Sequence, residues 1–132
     1  MLWLSSPAAA VELREIEVRR GTDGLVEAPL TVSNASPEVL SCTAELAHWY
    51  SKDMGTIAPG ARSTFALWFD PESGTFSLLN AGEDNMPVEK LWCGFAGRAY
   101  ETRAAFSLAR AAARERSVDC APSGDHARLE CE

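Results

Sequence analysis

Short runs in which every second residue is apolar, cut at close intervals by Gly, Pro, Asn and Asp, constrain this chain more than any other feature. Strand side chains alternate between two faces, so each run describes a strand with one face toward a core and one toward water. Leu30 and Val32 form one such run, closed by Ser33-Asn34-Ala35-Ser36-Pro37. Leu40, Cys42, Ala44, Leu46, His48 and Tyr50 share one phase in the longest. Phe65, Leu67 and Phe69 alternate up to Asp70-Pro71, and Phe76, Leu78 and Leu79 precede Asn80-Ala81-Gly82. Leu91, Cys93 and Phe95 follow, then Ala104, Phe106 and Leu108. Val11, Leu13, Ile16 and Val18 open the series, with a phase slip at Arg14-Glu15 that a bulge would cause. Gly21-Thr22-Asp23-Gly24, Asp53-Met54-Gly55 and Ala58-Pro59-Gly60 read as punctuation. About seven half-buried strands in one domain predict an all-β fold, an antiparallel two-sheet sandwich over residues 11–110. The helical competitor is 103–116, where Ala105, Leu108, Ala109 and Ala112 fall at helical spacing. A strand to about Ala109 with a short helical turn after it is expected.

Four cysteines allow three pairings. Cys42 and Cys93 lie in the core phase of two long strands, which favours Cys42–Cys93 and leaves Cys120–Cys131. The second pair flanks the turn Ala121-Pro122-Ser123-Gly124-Asp125-His126 and makes residues 111–132 a stapled C-terminal tail with a small hairpin, Val118 facing Leu129. In the chain-entropy description the larger loop contributes about 4 kcal/mol and the smaller about 3 kcal/mol. Disulfides call for an oxidising compartment. Leu2-Trp3-Leu4 followed by Ala8-Ala9-Ala10 resembles the end of a secretory signal, so residues 1–10 are read as a truncated signal segment whose start lies upstream. Together these predict a periplasmic or secreted bacterial protein.

Net charge narrows the function classes. At −7 the chain is a poor match for polyanionic nucleic acid or anionic lipid. No apolar run is long enough to span a bilayer. Arg98, Arg103, Arg110, Arg114 and Arg116 are opposed locally only by Glu101 and Glu115, and read as a solvated face. No Gly-x-Ser-x-Gly elbow, phosphate loop or dinucleotide fingerprint is present, so no catalytic residue is assigned and a non-enzymatic role is expected. His48 falls in the core phase of a strand and His126 in a turn. Glu83-Asp84 is a solvated loop pair, and Asn34-Ala35-Ser36 fits a glycosylation sequon but reads as turn chemistry. No cofactor is expected and no metal ligand is assigned. The alternative is a copper carrier using His48, Met54, Met86 or the C-terminal cysteines, since soft sulfur suits Cu(I).

The tryptophans supply the candidate site. Trp49, Trp68 and Trp92 all fall on the phase opposite to the apolar faces of their strands. If those phases hold they project from a sheet, and clustered exposed tryptophan marks a binding surface. Arg98 and Arg103 are placed to rim it. The function this predicts is a binding or accessory module that recognises a protein partner, in an envelope complex for example.

Leu30-Thr31-Val32-Ser33-Asn34-Ala35-Ser36-Pro37, the long strand after it, and Ile57-Ala58-Pro59-Gly60-Ala61-Arg62-Ser63-Thr64-Phe65 resemble bacterial extracytoplasmic immunoglobulin-like and fibronectin type III-like modules. The resemblance covers residues 11–109 and implies an immunoglobulin-like β-sandwich. Trp49 follows Cys42 too closely for the core tryptophan of an antibody-type domain, and Leu91 stands where its corner tyrosine would be. Likeness at the level of fold carries no function.

Overall fold

The computed structural model describes residues 21–132. The expectations for residues 1–10 and for the Val11–Val18 strand lie outside the described residues. Among the described residues eleven strands form two sheets: β1 (Val26–Glu27), β2 (Leu30–Asn34), β3 (Leu40–Leu46), β4 (Ser51–Ile57), β5 (Arg62–Phe65), β6 (Trp68–Asp70), β7 (Thr75–Leu79), β8 (Asn85–Phe95), β9 (Ala104–Ala105), β10 (Arg116–Pro122) and β11 (Leu129–Cys131). One short helix, α1 (Ala99–Thr102), separates β8 from β9. The larger sheet runs β1-β6-β7-β8-β3-β4 with β9 on β8, and the smaller runs β11-β10-β2-β5. All pairs are antiparallel except β10 with β2, which is parallel.

Alternation builds one core shared by both sheets. β2 and β3 bury every second residue, and Leu30, Val32, Leu40, Cys42 and Ala44 are fully enclosed. Phe65 and Phe69 both reach the core from different sheets. The single run expected across them is two short strands, because Leu67 carries the chain from one layer to the other. Phe76 and Phe69 meet at 5.0 Å between ring centroids.

The polar groups at the sheet crossings are satisfied locally. Asn34 ends β2, is 1% exposed, and uses its whole side chain. Its amide nitrogen donates to the carbonyls of Glu38 (2.8 Å) and Ile57 (2.9 Å). Its oxygen accepts from the Ser36 backbone (2.9 Å) and hydroxyl (2.7 Å). Ile57 closes β4 of the other sheet, so this one side chain ties the two layers together. The sequon residue is thus buried turn chemistry, as the sequence suggested.

Both disulfides form in the pairing expected, Cys42–Cys93 and Cys120–Cys131. Each joins residues directly opposite on neighbouring strands, β3 with β8 and β10 with β11, so neither crosses between the sheets. The C-terminal hairpin differs in register from the expectation: Leu129 lies opposite Pro122, not Val118. Val118 lies beside Val32, because β10 is an interior strand of the smaller sheet. Its turn is held by Asp125, whose carboxylate accepts from the Ser123 hydroxyl (2.6 Å) and the Ala127 amide (3.0 Å). The Ser123 and Ala127 bonds, in that order, hold the Asp125 carboxyl below its usual range.

The stretch after Ala105 is not the strand expected to Ala109. It is irregular, with one helical turn at Arg110–Ala112. Arginines organise it. Arg103 donates to the Tyr100 carbonyl, Arg110 to Pro71, Arg114 to Ala111 and Arg116 to Ser107, at 2.6–2.7 Å. Arg110 also lies over the Phe69 ring (5.5 Å), and Arg98 pairs with Glu38 (3.1 Å). These side chains are fasteners for a segment with few ladder hydrogen bonds, rather than a purely solvated face.

Candidate functional site

The β3–β4 hairpin makes the site. The phase that begins at Leu40 stops at Leu46, and the chain reverses through Ala47–Trp49. His48 and Trp49 both take positive φ, 66° and 71°. That handedness matches the twist of hairpin strands and is ordinarily supplied by Asn-Gly, because a Cβ in this region costs about 1–2 kcal/mol. The turn closes with the Leu46 amide donating to the Tyr50 carbonyl (2.7 Å). His48 is therefore not a core-phase strand residue; it stands exposed on the turn, and Trp49 is thrust fully into solvent.

The opposite wall comes from β8 and α1. Trp92 occupies the outer face of β8, as its phase predicts, yet it is only 8% exposed. Its cover is Tyr100, which meets the indole edge-on at 5.8 Å. Tyr100 is in turn stacked by the Arg103 guanidinium at 3.9 Å. The Trp92 Nε1–H donates to Glu45 Oε2 on β3 (3.0 Å). The expected exposed patch is thus corrected at Trp92, because the outer face of this sheet is covered by the excursion from β8 to β9.

Gly94 makes that cover possible. It shares the outer face with Trp92, and a Cβ there would lie 2.0 Å from the Ala99 carbonyl oxygen. Thr102 fixes the helix: its hydroxyl accepts from the Phe95 amide (2.9 Å) and donates to the Arg98 carbonyl (2.9 Å). Gly94→Ala is expected to lift α1 and cost about 3 kcal/mol, the upper range for overpacking. Urea unfolding measures the loss, and increased quenching of Trp92 by acrylamide reports its uncovering. Unchanged stability would mean that the helix is not seated on Gly94.

Between these walls is a cleft of about 640 Å³, lined by Glu45, Trp49, Tyr50, Glu89, Trp92 and Tyr100 among others. Glu89 is the extra residue where β8 bulges against Glu45–Leu46. Tyr50 is 62% exposed and Tyr100 58%. A second, smaller cleft of about 210 Å³ shares Leu46, Tyr50 and Ser51 and adds Leu78, Leu79 and Met86. The other residues named from the sequence lie elsewhere. Trp68 sits half-buried on β6, opposite Ser77 and Glu27, and lines neither cleft. Arg98 is engaged with Glu38 and the Phe95 ring, while Arg103 reaches the site only through Tyr100.

For metal chemistry the donors are dispersed. All four cysteines are bonded in disulfides, and among the described residues no three His, Cys, Asp or Glu side chains are grouped to hold an ion. Met54 and Met86 pack against the core. No helix among the described residues is long and apolar enough to cross a membrane.

Fold and site together define a two-sheet, disulfide-bonded β protein with an aromatic cleft floored by carboxylates. No family model matches the chain, and comparison with curated proteins and with solved structures returned no match.

Proposed function

We propose that this chain is a non-enzymatic binding module of the periplasm or cell exterior, an immunoglobulin-like sandwich that recognises a protein partner through the cleft between Trp49 and Trp92. The observation that carries the reading is Trp49, 101% exposed on a turn of two successive left-handed non-glycine residues. Strain held at the surface is a recurrent mark of functional sites. A large aromatic in that position, lining one cleft with two exposed tyrosines, has the composition of interface anchors. The export reading is supported by the two disulfides. The sandwich reading is supported by the single core between two sheets and by the parallel pairing of an early strand with a C-terminal one.

Affinity purification from the native host tests it, using wild type, Trp49→Asn and Trp68→Ser. Asparagine tolerates positive φ, so Trp49→Asn removes the aromatic without disturbing the turn. A partner retained by wild type and Trp68→Ser but lost from Trp49→Asn is the expected result. Identical partners on all three would refute the reading.

A further inference from the structure

The cleft has a charge as well as a shape. Glu45 spends one carboxylate oxygen on the Trp92 indole, and Glu89 has no partner among the described residues. Trp49, Tyr50, Trp92 and Tyr100 line the same cleft. Carboxylates beside aromatic faces are the surroundings that a guanidinium or ammonium group finds favourable, by ion pairing and by attraction to the ring quadrupole. The protein uses the same chemistry internally, with Arg103 over Tyr100, Arg98 over Phe95 and Arg110 over Phe69. Lys90 stands opposite Glu45 on the outer face but does not line the cleft, and His48 is at its lip.

The smaller cleft shares Tyr50 with the larger and is mostly apolar, lined by Leu78, Leu79 and Met86 together with Lys52 and Asn80. An extended peptide places alternate side chains on one side, so residues two apart address adjacent pockets. We infer that the site takes an extended segment of the partner carrying an arginine or lysine in the Glu45–Glu89 cleft and an apolar side chain, two positions away, in the Leu78–Met86 cleft. Lys52, which also lines the smaller cleft, disfavours a cation there. The net charge of −7 draws basic segments toward the whole molecule. This inference rests on the reading of the cleft as a protein-binding site.

The probe is the peptide acetyl-Arg-Gly-Leu-amide, titrated into the full chain and followed by the indole and amide NMR signals of Trp49, Trp92 and Tyr100. Saturable shifts are expected, weakened about tenfold when citrulline replaces the arginine, when serine replaces the leucine, or in Glu89→Gln. Glu89 is exposed and has no partner among the described residues, so that variant keeps the fold. Equal binding of the citrulline peptide, no saturable shift, or preferential binding of maltotriose would overturn the inference. A peptide that fails while partner capture still depends on Trp49 defeats only the cation assignment. Capture independent of Trp49 defeats the binding site itself.

Discussion

Asn34→Ala is expected to destabilise the fold by about 3 kcal/mol, a large part of the total stability of a domain this size. The side chain makes four hydrogen bonds inside the protein, two as donor and two as acceptor. Its loss leaves the Ile57 carbonyl and the Ser36 amide without these partners at the crossing between sheets. Asn34→Asp is expected to be worse at neutral pH, because a carboxylate would face the Glu38 and Ile57 carbonyls with no proton to donate. Burial among acceptors raises the folded-state pKa of such a carboxyl above its unfolded value, so the folded state binds the proton more tightly. The protonated form then regains one donor, and the deficit of Asn34→Asp shrinks as pH falls toward ~4 while that of Asn34→Ala does not. Urea unfolding at two pH values measures both. An alanine variant within ~0.5 kcal/mol of wild type would show that the two sheets do not depend on this link.

Removing the Cys42–Cys93 bridge, as Cys42→Ala with Cys93→Ala, is expected to cost about 4 kcal/mol. The bridge closes a separation of 51 residues that includes β4 to β7. Freeing that loop in the unfolded chain raises its entropy by about 1 kcal/mol more than opening the C-terminal staple, which spans a separation of 11. Both sulfur pairs have a fully buried member on the core side, and Cys42 and Cys93 are both 0% exposed, so a packing loss adds to the entropy. The C-terminal pair, treated in the same way, is expected to cost about 3 kcal/mol. Chemical denaturation of the two double variants in parallel checks the order. Equal midpoints would contradict it.

The sequence carried the strands that bury one face. β2 and β3 alternate plainly, while β7 and the second half of β8 show the apolar phase in sequence although their other face is covered too; the Cys42–Cys93 pairing follows from the β3 and β8 phases, and Cys120–Cys131 from the turn it flanks. β4 was invisible because it is an edge strand, exposed along most of its length, so no apolar period marks it. Its Asp53-Met54-Gly55 bulge looks like a turn for the same reason. The turn before it carries no sequence signal because His48-Trp49 is not turn chemistry; only the backbone angles reveal it. Trp92 was placed on the correct face, but its cover comes from Tyr100, eight positions on, across a close approach that Gly94 alone hints at. Trp49 was legible as an exposed aromatic, although for the wrong geometric reason. The acidic floor of the cleft was not legible at all, since Glu45 and Glu89 come together only through the pairing of β3 with β8.

In the proposed function the β3–β4 turn keeps a strained, exposed tryptophan for recognition and not for folding. Thermal unfolding of the double variant His48→Asn, Trp49→Gly, with partner capture read on the same protein, tests this most directly. Asn-Gly suits the two positive φ values, so the melting temperature is predicted to rise by about 3–6 °C while the partner is lost. A lowered melting temperature together with an undiminished partner would contradict it.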